Sequence, residues 1–326
     1  MKLRMLLVAT AALVLSACSV QGGSGDKSEA DYPAEPVEFT VPQDPGGSTD
    51  LITRALAKSL EKPLGEKAVV VNKPGANGKI AGKDVFGSEA DGYRVAVMPQ
   101  SLFSIGPLML DDPDAIELTD MTFIKGLAVE DYVLVVPAAS PHKSVKDLTG
   151  KGDIKYGTTG PGTGSQLAQT LLFGAADVKA TAVPFDGGAP TVTAALGGKV
   201  DAAAVHIAEA YKHVEAGKLR ALAVFSAERH VAFPDVPTAK ESGYDVVVDQ
   251  RRFVAGPAGI PAEVRERLAT AIDKAVQTPE YTELLETGYI TKWDADGDAV
   301  GAQLDESRKR FDELAKQHNI DLKTEQ

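Results

Sequence analysis

Two glycine-rich loops contain the residues best suited to recognition chemistry. The first reads Pro-Gln-Asp-Pro-Gly-Gly-Ser-Thr-Asp over residues 42–50, and the second reads Gly-Thr-Thr-Gly-Pro-Gly-Thr-Gly-Ser over residues 157–165. Each loop lies between an apolar segment and an amphipathic one, which predicts a strand, a turn and a helix. Such a turn exposes backbone N–H groups at the positive end of a helix, where an anion can bind without a nearby cation.

The spacing of the two loops favours one site built from both. A single loop of this kind is better explained by a tight turn that needs glycine. These two loops are about 115 residues apart in a chain of two-domain length. That arrangement predicts one anion-receptive loop per domain, facing its counterpart across a cleft at the edge where open α/β sheets bind ligands.

Motifs of the common secreted enzymes are missing. The sequence contains no G-x-S-x-G, H-E-x-x-H or G-x-x-x-x-G-K-[ST] pattern. Cys18 is the only cysteine, which excludes an intramolecular disulfide and a Cys-based metal site, and the five histidines lack ligand spacing. The glycines of the second loop approach a dinucleotide fingerprint but lack its final glycine. We therefore expect no catalytic residue, no cofactor and no metal.

Composition and charge narrow the class of ligand. The chain has 326 residues, 44% of them hydrophobic and 25% charged, which is typical of a globular protein. Its 34 basic and 46 acidic side chains give a formal charge of -12, which argues against nucleic-acid binding. A body of this charge repels anions at long range, so an anion must be held locally by amides, hydroxyls or a single arginine.

The N-terminus predicts secretion and a lipid anchor. Lys2 and Arg4 precede an apolar run over residues 5–15, which is shorter than the roughly 20 residues of a membrane-spanning helix. Leu-Ser-Ala-Cys at residues 15–18 resembles a bacterial lipobox, and an ordinary signal with an incidental cysteine is the alternative. We expect a signal peptide over residues 1–17, lipidation of Cys18 and a flexible linker over residues 18–36, which places the protein outside the cytoplasm, on the outer face of the cell membrane or in the periplasm.

The remaining chain alternates strand-like and helix-like segments, which predicts an α/β fold with mostly parallel sheets. Amphipathic helices are expected after the first glycine-rich loop, after Pro261 and at the C-terminus. Strands are predicted over residues 37–41, 68–71, 94–98, 132–136, 154–157, 180–183, 200–205, 219–224 and 245–248.

From about residue 38 onward the sequence resembles one family of transport receptors. Eight short motifs occur in the order found in the substrate-binding proteins of tripartite tricarboxylate transporters, the Bug family. They are the first glycine-rich loop, Asn-Lys-Pro-Gly-Ala-Asn-Gly at 72–78, Asp-Gly-Tyr at 91–93, Tyr-Gly-Thr-Thr-Gly at 156–160, Val-Pro-Phe-Asp-Gly-Gly-Ala-Pro at 183–190, Gly-Gly-Lys-Val-Asp at 197–201, Ala-Gly-Lys-Leu-Arg-Ala-Leu-Ala at 216–223 and Phe-Pro-Asp-Val-Pro-Thr at 233–238.

The resemblance implies a two-lobed periplasmic-binding-protein fold of type II, a Venus flytrap. Each lobe would be a mostly parallel sheet flanked by helices, with residues 37–128 and 229–326 in lobe 1 and residues 129–228 in lobe 2. It implies a monomeric receptor, without catalysis or cofactor, that captures a small di- or tricarboxylate or related organic acid. The receptor would pass its ligand to a membrane permease with a large and a small integral subunit.

The resemblance also implies where the ligand binds. A carboxylate would be gripped between a first jaw, Gly46, Gly47, Ser48, Thr49 and Asp50, and a second jaw, Thr158, Thr159, Gly160, Gly162, Thr163 and Gly164. Further contacts are expected from Gln100, Ser101, Phe185, Asp186, His206 and Arg252.

Three of these residues have alternative roles. Asp50 can support the first turn of its helix instead of touching an anion. His206 can cap or pack against a strand end, and Arg252 can face solvent or bridge the lobes rather than clamp a distal carboxylate. Two other functions also stay open: a ligand-sensing lipoprotein that feeds a signalling kinase, and a secreted enzyme that acts on carboxylates.

Overall fold

The computed structural model describes residues 32–323. Cys18, the signal peptide and most of the linker lie outside this range, so the lipoprotein prediction stays a prediction. Within the range no helix is both long enough and apolar enough to cross a membrane.

The strands follow the predicted segments closely, except near the two crossings between the halves of the molecule. They are β1 Val37–Val41, β2 Ala68–Asn72, β3 Arg94–Pro99, β4 Met121–Pro137, β5 Asp153–Thr158, β6 Lys179–Pro184, β7 Ala202–His206, β8 Leu219–Val224, β9 Asp249–Pro257 and β10 Thr291–Lys292.

Helices fill most of the connections between strands. They are α1 Ser48–Leu64, α2 Lys79–Phe86, α3 Ser101–Ser104, α4 Gly106–Met109, α5 Val145–Thr149, α6 Gly164–Ala175, α7 Gly188–Leu196, α8 Ile207–Glu215, α9 Ala262–Ala275, α10 Pro279–Thr287 and α11 Gly297–Gln317.

A single long strand joins two halves of the sheet, whose order is β2-β1-β3-β9-β4-β7-β5-β6. Residues 121–131 of β4 pair with β9, and residues 132–137 pair with β7 and β8. Strands β1, β2 and β3 are parallel in one half and β5, β6 and β7 in the other, as predicted, whereas β4 and β9 run antiparallel to their neighbours. The carboxyl ends of β1 and β5, where the two glycine-rich loops begin, therefore belong to different halves.

Each half has its own hydrophobic core. Phe39, Leu56 and Leu268 are fully buried in the first, and Leu134 and Leu167 are fully buried in the second. Helix α11 serves both halves: Val300 and Leu304 pack beside β3 and β9, whereas Phe311 and Ala315 join the core of the second half. The lobe boundaries at residues 128/129 and 228/229 stay a proposal; pairing of β4 changes between Asp131 and Tyr132.

The strand predicted over residues 245–248 is wrong. Val246 and Val248 are buried, which explains the strand-like pattern, but they fill the second core from an irregular segment. The strand begins only at Asp249, in the polar run Asp-Gln-Arg-Arg at residues 249–252. The sequence did not show the apolar–polar alternation of a strand here, because Gln250 and Arg252 are polar yet buried.

Candidate ligand-binding cleft

Asp50 organises the first jaw. Its carboxylate accepts hydrogen bonds from the Gly46 amide at 2.9 Å, Arg54 Nε at 2.9 Å and Asn72 Nδ2 at 2.8 Å. Burial acts to raise the pKa of Asp50, but these hydrogen bonds outweigh it and hold the pKa below its usual range. The φ angle of Gly46 is +86°, which favours glycine there. Asp50 thus fixes the shape of the loop, and its contact with a ligand stays a prediction.

The first jaw presents free amides at the start of a 17-residue helix. Gly47 is the N-cap of α1, and its amide bonds Asp44 O at 3.3 Å. The amides of Ser48, Thr49 and Asp50 have no acceptor within residues 32–323. They lie at the positive end of the helix dipole and can therefore donate to an anion.

The second jaw is braced by its own side chains. Thr163 caps α6 and donates to Gly160 O at 2.8 Å, and Gln166 Oε1 accepts from the Gly162 amide at 2.9 Å. Ser165 Oγ accepts from the Thr159 amide at 3.1 Å. Gly160 has φ +128°, a conformation that side-chain-bearing residues rarely adopt.

The second jaw also presents backbone amides that lack an acceptor within residues 32–323. Those of Thr163, Gly164 and Ser165 have no acceptor in the described part of the chain. A Cβ on Gly164 would lie 2.6 Å from the Tyr132 ring, so the start of α6 rests directly on that ring. The second jaw therefore repeats the chemistry of the first at the end of a different sheet half.

Asn77 connects the two halves across the cleft. Its Nδ2 donates to Gly162 O at 3.1 Å, and its Oδ1 accepts from Ser101 Oγ at 3.3 Å. Ser101 in turn accepts from Gln250 Nε2 at 3.2 Å. These bonds hold the loop after β2, the start of α3, β9 and the second jaw together, so this structure is a closed form.

An ion pair lies beneath the first jaw. Arg252 Nε donates to Glu130 Oε2 at 2.8 Å, with both side chains at most 3% exposed. Ser48 Oγ donates to the other oxygen of Glu130. Glu130 and Gln250 are paired across β4 and β9, and Arg252 is two residues farther along β9, so all three side chains lie on one face of the sheet.

We call the buried polar residues around this ion pair the cleft floor. Several polar groups of the cleft floor have no partner among the described residues. They are both polar side-chain atoms of Gln100, Gln250 Oε1, Arg252 Nη1, His206 Nδ1 and Thr49 Oγ1. Buried polar groups are normally hydrogen-bonded, so such a concentration suggests a place where a ligand supplies the bonds.

His206 and Glu209 border the floor. The His206 ring stacks on Tyr132 with centroids 4.4 Å apart, and burial lowers its pKa to about 4, so the ring is neutral near pH 7. Glu209 accepts from the His206 amide at 3.1 Å and lies against Gly188 at the start of α7. Burial, with the negative charge of Glu130, raises the pKa of Glu209 to about 7.

Most predicted site residues converge on this cleft. Thr158 and Phe185 support the second jaw, since Thr158 O accepts from the Phe185 amide at 3.0 Å. Asp186 is exposed and makes no hydrogen bond with any described residue. Sequence reasoning missed Asn77, Glu130, Tyr132, Glu209 and Gln250; of these, only Asn77 lay in one of the eight family motifs. No group of three or more His, Cys, Asp or Glu residues in 32–323 is arranged to hold a metal ion.

Comparison with known proteins assigns the family. Residues 52–320 match TctC, the "Tripartite tricarboxylate transporter family receptor". The chain belongs to this family. The match spans most of both halves, including the second jaw and the ion pair, and a TctC or Bug receptor has the two-lobed periplasmic-binding-protein fold predicted from the sequence.

Relatives and solved structures agree with this assignment. A "UPF0065 protein in gbd 5'region" of Cupriavidus necator is 33% identical, covering 85% of this chain and 84% of the relative, and BugT of Bordetella pertussis is 30% identical, covering 77% and 79%. A TctC solute binding protein from Polaromonas is 32% identical with a TM-score of 0.72, covering 88% and 99%. An R. palustris protein solved with adipate is 26% identical with a TM-score of 0.81, covering 89% and 99%.

Proposed function

We propose that this receptor works outside the cytoplasm, captures a small carboxylate between its two jaws and delivers it to a tripartite tricarboxylate-type permease. The observation that carries the proposal is the pair of helix starts, one in each half of the sheet, each with three amides that lack an acceptor among the described residues. Amides at a helix start stabilise a carboxylate without a cation. Because the protein has a formal charge of -12 and repels anions at long range, the ligand carboxylate must be held by such local donors.

The proposal gains support from the relative that was solved with adipate, a carboxylate. Since that protein shares the fold over nearly its whole length, its ligand class is a reasonable expectation for this chain. Attachment through lipid at Cys18 and a monomeric state are part of the same proposal. They rest on the lipobox-like sequence and on the family resemblance.

Thermal unfolding against a carboxylate panel tests the capture step. The body from about residue 30 onward is refolded to remove resident ligand and heated with mono-, di- and tricarboxylates. A ligand at 100 times its dissociation constant adds about 2.7 kcal/mol of stability, which raises the melting temperature measurably. No shift with any carboxylate, from protein with a cooperative unfolding transition, would contradict the proposal.

Uptake of the labelled ligand by a deletion strain tests the delivery step. We expect uptake to fall in the deletion strain and to return when the gene is restored. Unchanged uptake, together with loss of a transcriptional response to the ligand, would instead favour the sensing alternative.

A further inference from the structure

The charge on Arg252 is already neutralised inside the protein. Its Nε bonds Glu130 at 2.8 Å, and both side chains are shielded from solvent, at 2% and 3% exposed. Burial acts to raise the pKa of Glu130, but Arg252 and the Ser48 hydroxyl lower it below the ordinary value, so Glu130 is ionised. The pair contributes no net positive charge for a second ligand carboxylate.

In the described part of the chain, the cleft floor has no other cation that could pair with a second ligand carboxylate. His206 is neutral near pH 7, as shown above. Arg251 alternates with Arg252 along β9 and bonds Asp249 and Gln303 instead. Glu209 adds a further acidic group near Glu130. A second carboxylate buried here would therefore lack a counter-charge, which is costly.

The unpartnered groups match a neutral polar group instead. Arg252 Nη1 is a donor, Gln250 Oε1 is an acceptor and the Gln100 amide is both, and none of them has a partner among residues 32–323. All three side chains are at most 3% exposed. A ligand amide or hydroxyl can both donate and accept, whereas a carboxylate can only accept.

We infer that the ligand is a monocarboxylate whose far end bears a neutral hydrogen-bonding group, an amide or a hydroxyl, held by Gln100, Gln250 and the free Nη1 of Arg252. This inference rests on the proposed function, because the single carboxylate occupies the jaws. The Ser48 hydroxyl donates to Glu130 and fixes the ion pair to the first jaw, so Ser48 offers the ligand its amide rather than its hydroxyl.

Matched ligand pairs test the inference on the unaltered protein. Calorimetry compares succinate with succinamate, glutarate with glutaramate and adipate with adipamate, so that only the distal group changes. We expect the monoamide to bind at least about tenfold more tightly than its diacid at the preferred length. Equal or tighter binding of the diacid at that length would overturn the inference while leaving the carboxylate receptor intact. If no member of either series binds folded protein, the inference fails, and the carboxylate panel described above decides separately whether the receptor proposal stands.

Removing the negative partner should reverse the preference. In Glu130→Gln the Arg252 charge is no longer neutralised, so the ratio of diacid to monoamide affinity should rise at least about tenfold. Glu283→Gln, on the exposed face of α10 and outside the cleft, also removes one negative charge and should keep the wild-type preference. A ratio unchanged in folded Glu130→Gln would contradict the role of the ion pair; if that variant does not fold, the wild-type comparison still decides.

Discussion

At the scale of single residues, Gly47 offers the cleanest test of the first jaw. Its φ angle is -72°, so a larger residue meets no backbone strain, and an added Cβ would come no closer than 3.4 Å to Asp44 O. A branched side chain at the helix start would block the approach of an anion. We expect Gly47→Val to weaken carboxylate binding at least about tenfold without unfolding the protein, as measured by calorimetry.

Gly150→Val provides the matched control. Gly150 also has a negative φ angle, -69°, with an added Cβ 3.4 Å from a carbonyl oxygen, but it lies at the end of α5, outside the jaws. Affinity equal to wild type in Gly47→Val, or an equal loss in both variants, would contradict the proposed position of the ligand.

Asp50 should matter for stability as well as for binding. Asp50→Ala leaves the Gly46 amide, Arg54 and Asn72 without their shared acceptor, so we expect a loss of about 1–3 kcal/mol in the free energy of unfolding. Denaturant unfolding measures this loss. Asp44→Ala, an exposed position in the same loop, should change stability by less than about 0.5 kcal/mol. Comparable losses in the two variants would show that Asp50 does not organise the jaw.

At the scale of elements, the start of α8 predicts a dependence on pH. The pKa of Glu209 is raised to about 7 in the folded protein, so the folded state holds this proton more tightly than the unfolded state does. Ionised Glu209 therefore destabilises the folded protein above pH 7. This destabilisation disappears as the pH falls towards the ordinary pKa of a glutamate side chain. Glu209→Gln keeps an acceptor for the His206 amide and should gain about 1–3 kcal/mol over wild type at about pH 8 but little at about pH 5.

Urea unfolding at the two pH values checks this expectation. Glu283→Gln, on the exposed face of α10, is the control and should match wild type at both. If Glu209→Gln were no more stable than wild type at about pH 8, burial of an ionised Glu209 would be refuted.

The elements also show what the sequence could predict. The glycine-rich loops were recognisable because residues such as Gly46 and Gly160 occupy backbone conformations that few other residues adopt, and that requirement is local. Glu130 and Gln250 were not recognisable, because each is a polar residue in a strand whose partner lies 120 positions away. Their role follows only from the pairing of β4 with β9. Residues 121–131 of β4 and the whole of β9 were missed for the same reason.

At the scale of the whole molecule, the cleft must open for the ligand to enter. The cleft floor is at most 3% exposed at Gln100, Gln250 and Arg252, and Asn77 bonds the second jaw from the first half, so the closed form gives solvent no access to these groups. The long strand β4 and the segment leading into β9 are the connections about which the halves can rotate. Ligand binding should therefore favour the compact form over an open one.

Small-angle scattering measures that closure directly. With the carboxylate that gives the largest melting shift, we expect the radius of gyration to decrease on saturation, because bonds from both jaws to one anion draw the halves together. Gly47→Val at the same ligand concentration should not contract, since its first jaw cannot reach the anion. Identical profiles for wild type with and without ligand, when calorimetry shows the site to be saturated, would mean that the halves do not move. The jaws would then be a fixed pocket, and entry would depend on local opening of the loop that contains Asn77.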